Sequence, residues 1–137
     1  MDQEDYLMRE IAKIGLLLRA IINNFLNRNE NLAITTGDYF ENTKELLINE
    51  INFDMDKFLV LNESDTLDYL SQFKGINSEN LELLAEIVSQ FGIDDRTNNK
   101  SVFLKKALQL YNLCENEDMT FSFDRERKIK EIKNALS

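Results

Sequence analysis

The 137-residue sequence contains no proline, no histidine, no tryptophan, four glycines and one cysteine. Without proline, the strongest breaker of helix interiors is missing. Without imidazole, the usual proton relay of serine and cysteine enzymes cannot be assembled, and with Cys114 as the sole thiol neither can the ordinary zinc site. A lone cysteine forms no internal disulfide, so stability rests on the core, and the chain suits a reducing compartment. Long apolar runs are missing too. The most apolar stretch, residues 11–26, is interrupted by Lys13, Arg19, Asn23 and Asn24, whereas a membrane span needs about 20 nearly uncharged residues. The opening Asp2-Gln3-Glu4-Asp5 lacks the basic start of a secretory signal. These absences predict a cytoplasmic protein that does not enter a membrane.

What is present is 43% hydrophobic and 30% charged, the balance of a helix-rich globular chain. The length predicts one domain over residues 1–137, large enough to bury a real core. It is expected to comprise a long N-terminal helix over about residues 2–28 and a helical body over about residues 36–137.

The formal net charge is −9, and residues 38–68 carry nine acids against Lys44 and Lys57. An acidic surface repels phosphate backbones, so nucleic acid is not an expected partner. The C-terminal stretch is the exception, with Arg125, Arg127, Lys128, Lys130 and Lys133. Asp124, Glu126 and Glu131 are interleaved with them, which predicts a solvated helix face with internal ion pairs.

Apolar residues recur every three or four positions through most of the chain. Leu7, Ile11, Ile14, Leu18, Ile21 and Phe25 form one helical stripe, widened by Met8, Gly15, Ile22 and Leu26. Leu16 and Leu17 fall on the flank and back of that stripe, where solvent is expected. Asn27, Asn29 and Asn31 predict a hinge or loop. A second helix starts near Thr36 or Asp38 and runs through Leu46, Leu47 and Ile51. A short helix over residues 53–61 has Asp54 and Asp56 near its start, where carboxylates complement the helix dipole. Another, capped by Ser64 or Asp65, runs through Leu67, Leu70 and Phe73 to Gly75. A fifth opens at Asn77 or Ser78, buries Leu81, Leu84, Ala85, Ile87, Val88 and Phe91, and stops at Gly92. After a polar run from Asp94 to Asn99, a sixth turns Val102, Phe103, Ala107, Leu110, Tyr111 and Cys114 inward. Ser122 caps the last helix, with Ile129, Ile132 and Leu136 on its apolar side. Nothing alternates with a period of two. The expected fold is all-α, an antiparallel bundle of five to seven helices.

Ala107, Tyr111 and Cys114 match the small–aromatic–small pattern of the second helix of a tetratricopeptide unit, and Leu84, Ala85 and Val88 loosely match the first. The separation from Ala85 to Ala107 is about ten residues longer than the repeat allows, and no proline closes the unit. The strings Asp5-Tyr6-Leu7-Met8-Arg9-Glu10-Ile11, Gly75-Ile76-Asn77-Ser78-Glu79-Asn80-Leu81 and Thr120-Phe121-Ser122-Phe123-Asp124-Arg125 resemble those of an uncharacterised bacterial family of short all-helical proteins with tetratricopeptide-like C-terminal helices. That resemblance implies an all-helical fold and assigns no activity or functional residue.

No catalytic, cofactor-binding or metal-binding set emerges. Asp54 and Asp56 start like a calcium loop, but Phe58 and Val60 occupy positions that need oxygen ligands and the turn glycine is missing. Asp94 and Asp95 beside Arg96 read as a solvated turn. Cys114 lies among acids near a helix end, where a thiolate is disfavoured, and reads as a small core residue. The sequence therefore predicts a non-enzymatic module that binds a protein or peptide, a second copy of itself included. Leu16, Leu17 and Arg19 are the expected contact surface. The competing expectation is a small-ligand-binding protein or enzyme that uses carboxylates and lysines.

Overall fold

The computed structural model describes residues 3–26, 36–94, 99–118 and 122–137. The expected Asn27–Asn31 hinge, Asp95 and Arg96 of the polar run, and Thr120 and Phe121 of the closing string lie outside these residues. The described residues form seven helices and no strand: α1 (Gln3–Leu26), α2 (Thr36–Ile51), α3 (Met55–Leu59), α4 (Glu63–Leu70), α5 (Ser78–Asp94), α6 (Lys100–Asp118) and α7 (Phe123–Leu136). The fold is all-α.

Side chains within the sequence start several of these helices. The Asp54 carboxylate accepts from the Lys57 amide at 3.1 Å, Asn62 from Asp65 at 2.8 Å, Asn77 from Asn80 at 2.9 Å, and Ser122 from Arg125 at 3.2 Å. Each satisfies an amide that has no partner inside its own first turn. The cap of α4 is thus Asn62 rather than Ser64 or Asp65. At the end of α2, Asn52 adopts φ 59°. Its amide donates to Ile48 O and the Phe53 amide to Leu47 O, a nested pair each one residue wider than the usual Schellman closure.

α5 is the central helix. α6 packs against it in the opposite direction: Gly92 near the end of α5 abuts Phe103 and Leu104, while the Cys114 Sγ lies 3.8 Å from Ser78 O at its beginning. Ala85, Ala107 and Cys114 are fully buried, and their small volumes permit close approach. α1 runs in the same direction as α5, with Ile11 beside Asn80 and Phe25 beside Phe91. α7 also follows α5, through Arg125 to Glu82 and Lys128 to Glu86.

Two aromatic groups join the rest. Phe25, Phe40, Phe91 and Phe103 meet edge-on at centroid distances of 5.0–5.2 Å where α1, α2, α5 and α6 converge. Phe53, Phe58, Tyr69 and Phe73 bind the end of α2 to α3 and α4. Such ring contacts each add about 0.5–1.5 kcal/mol beyond the area they bury.

Several expectations about single residues are corrected. Gly92 does not end α5. The helix continues to Asp94, and Gly92 is buried inside it because a Cβ there would lie 2.7 Å from Leu104 Cδ2. Likewise α4 ends at Leu70, before Phe73, and Gly75 is a close-approach site. Leu7 and Met8, placed on the buried stripe, are exposed because the first two turns of α1 extend past the body that covers Ile14 and Leu18. Val102, in the first turn of α6, is exposed for a different reason, because it faces away from the side on which Phe103, Leu104 and Ala107 are buried. Leu67 is exposed because Thr66 takes the inward place on α4 and hydrogen-bonds there to Lys106.

Candidate functional site

α1 presents two opposite faces. Ile14, Leu18, Ile21 and Phe25 are buried against the body. On the outer face Leu16 is 69% exposed and Met8 64% exposed, with Ala12 and Ala20 also open to solvent. The three residues expected as a contact surface separate. Leu16 and Arg19 lie on the outer side, whereas Leu17 is half-buried and packs against the core. Arg19 folds across Gly15, and its Nη2 donates to Glu79 Oε1 of α5 at 2.7 Å. Both partners are well solvated, so this pair adds little stability. Met8, expected on the buried stripe, lies exposed on this outer side as well. Its spacing fits the edge of the buried stripe, and only the protrusion of α1 leaves it uncovered.

A groove of about 870 Å³ opens beside the N-terminal half of α1, between that helix, the end of α2, α3 and the α4–α5 turn. Its floor includes Ile14, Ile51, Tyr69 and Phe73, and the Tyr69 hydroxyl accepts the Asp54 amide at 2.8 Å. Lys13, Lys57 and Lys74 approach it together with Glu10, Glu50 and Asp54. The charges balance, so the groove has no preference for an anion or a cation as such. These residues come from four segments, and no local motif in the sequence marks them.

Lys106 and Arg125 are buried and hydrogen-bonded within the fold. The Lys106 ammonium donates to Leu61 O at 2.8 Å and Thr66 Oγ1 at 2.6 Å and lies 5.0 Å from the Phe58 ring centroid. Burial lowers its pKa below the ordinary lysine value. Arg125, expected on a solvated face, is instead buried and paired with Glu82 Oε1 at 2.7 Å. Arg127 and Lys128 do form the expected pairs with Asp124 within α7. Lys128 above all, then Arg127, holds the Asp124 carboxyl below its usual range.

Tyr111 is fully buried, and its hydroxyl has no hydrogen-bonding partner among the described residues. Burial, and secondarily Glu86 and Glu82, pushes its pKa upward. Cys114 is buried beside it in the packed interior rather than at an electropositive surface. Asp54 is occupied as a helix cap and Asp56 by Lys44, whose pKa is raised by its hydrogen bonds to Glu41 and Asp56. Among the described residues no group of three or more carboxylate or thiol side chains is arranged to hold a metal ion. No described helix is long and apolar enough to cross a membrane. Compared with known proteins, the chain matches no family model, no curated protein and no solved structure.

Proposed function

We propose that this chain is a non-enzymatic helical module that acts by binding a protein or by self-association, with the outer face of α1 as its contact surface. The supporting observation is Leu16, 69% exposed on a helix whose other face is anchored in the core. Met8 and Ala12 extend that apolar strip, and hydrophobic side chains rimmed by polar ones are characteristic of association sites. The acidic charge argues against a nucleic-acid partner. We read the α5–α6 pair, along which Ala85, Ala107 and Cys114 are buried, as tetratricopeptide-like, and the chain as a cytoplasmic relative of short bacterial helical proteins.

Leu16→Glu tests the contact surface. Leu17 is left unchanged because a charge there would enter the core. The variant is expected to melt like the wild type and to lose either self-association in light scattering or the proteins retained from native lysate. If neither changes, the surface is misassigned. A second reading, a small-ligand-binding protein or enzyme using carboxylates and lysines, is favoured by the groove in which Lys13, Lys57 and Lys74 meet Glu10, Glu50 and Asp54. A thermal-shift screen on wild type and Lys57→Glu distinguishes it by stabilisation that the variant loses.

A further inference from the structure

We infer that the partner of the α1 face is a second copy of this chain, bound α1 against α1 in antiparallel orientation across a two-fold axis at Ala12. The inference rests on the contact surface proposed above and adds its occupant and register. At 3.6 residues per turn, Leu16 lies about 160° around α1 from the buried Leu18, so it faces directly away from the body. Asp5, Ala12 and Arg19 are spaced seven residues apart. Seven residues are about two turns and 10.5 Å, which aligns the three along one edge of this outer face.

A two-fold contact must be self-complementary: if one residue meets another, the reverse contact occurs as well. With Ala12 on the axis, each position faces the one whose number completes a sum of 24. Asp5 then meets the second copy's Arg19, Met8 meets its Leu16, and Ala12 meets itself. Acid faces base at both ends, apolar faces apolar between them, and the smallest side chain lies where the helices cross. A parallel pairing would instead set Asp5 against Asp5 and Arg19 against Arg19, and like charges in apposition oppose association. The antiparallel arrangement also aligns the helix dipoles favourably.

The surroundings permit this contact. The described residues of α1 before Glu10 are all exposed, so the N-terminal turns reach past their own body toward the partner. Arg19 already bonds Glu79 through one guanidinium nitrogen, and roughly half its side chain is open to solvent. Its remaining donors can serve Asp5 of the second copy, because a guanidinium carries five N–H groups. One helix pair lies at the small end of specific interfaces, below about 1,200 Å², which implies a weak, concentration-dependent dimer.

The test uses the whole 137-residue chain. Sedimentation equilibrium on the wild type is expected to show mass rising from monomer to dimer with concentration. Asp5→Arg and Arg19→Asp each place like charges together at both ends and should weaken the dimer about tenfold. The double variant restores opposite charges and should recover most of the affinity. Both sites are exposed, and matching thermal melts check that the fold is retained. Geometry is read independently with cysteine variants and a short bifunctional maleimide, since the native Cys114 is buried. Ala12→Cys should cross-link to itself, and Met8→Cys should cross-link to Leu16→Cys in a mixture. Asp5→Cys should not self-link, because the two copies of that position lie about 21 Å apart along the helices.

A wild type that stays monomeric at every concentration overturns the dimer. The contact surface then stands or falls by whether Leu16→Glu loses captured proteins. A dimer in which Asp5→Cys self-links as fast as Ala12→Cys, or in which the double charge variant is no tighter than the single ones, overturns the antiparallel register.

Discussion

Glu82 of α5 accepts from Nη2 of Arg125 of α7 at 2.7 Å, and the Arg125 side chain is only 4% exposed. This charge-assisted contact, with Ile129 and Ile132, fixes a highly charged terminal helix onto the body. Breaking a fully buried pair by removing one partner costs about 3–5 kcal/mol, but Glu82 retains some solvent contact. Glu82→Ala should therefore lower the unfolding free energy by roughly 1–3 kcal/mol. Arg127→Ala, whose partner Asp124 is exposed, should leave it nearly unchanged. Urea denaturation of the two variants distinguishes the interhelical pair from the surface one. Equal midpoints would show that Arg125 gains nothing from Glu82.

Gly75 fixes how closely the α4–α5 turn meets α1. A Cβ on Gly75 would lie 2.7 Å from the Glu10 carbonyl oxygen and 2.7 Å from Ile14 Cδ1, and the first of these is backbone. Asn80 reinforces the contact by donating one amide group to both Ile11 O and Gly75 O. Gly75→Ala must push the turn away and should destabilise by roughly 1–3 kcal/mol. Gly15 is a useful contrast, since its nearest obstacle is the end of the flexible Arg19 side chain, at 2.9 Å. Gly15→Ala should therefore cost much less, and it gains helix propensity. Denaturant midpoints that rank the two variants in the opposite order would contradict this account.

The helices were legible because three-and-four spacing and side-chain caps act within a few residues. Asp54 and Ser122 begin α3 and α7 as their positions in the sequence suggest. Leu16 is exposed, as its angle off the stripe suggests, but Leu17, also off the stripe, packs against the core. The exposure of Met8 does not follow from spacing, because periodicity gives a direction around a helix but not how far the neighbouring body extends along it. Arg125 departs from its expected exposure for a related reason. Its charged neighbours in α7 suggest solvent, while the group that makes burial tolerable, Glu82, lies 43 residues away in sequence. The groove lining is less legible still, since it exists only after four segments converge.

The buried Lys106 gives the alkaline stability profile a definite sign. Its amine is desolvated and has Leu61 O and Thr66 Oγ1 as acceptors, and its folded-state pKa is lowered from 10.5. Between that lowered value and 10.5 the unfolded state binds more protons than the folded one, so stability rises with pH across this window. Lys106→Met removes both the titration and the two hydrogen bonds. It should cost about 1–2 kcal/mol near the top of the window and less at neutral pH, where the wild type still carries the buried charge. Tyr111 acts in the opposite direction and later. Its pKa is raised from 10.0 by burial, so wild-type stability falls above pH 10 as the unfolded chain releases a phenolic proton that the folded chain retains. Lys44, raised from 10.5, adds to that fall. Tyr111→Phe should match or exceed the wild type at neutral pH, because the hydroxyl it deletes has no partner among the described residues, and should lose less stability above pH 10. Denaturant titrations of all three proteins from pH 7 to 11 resolve the two effects. A constant difference between wild type and Lys106→Met across that range would mean that the Lys106 ammonium is not desolvated by the fold.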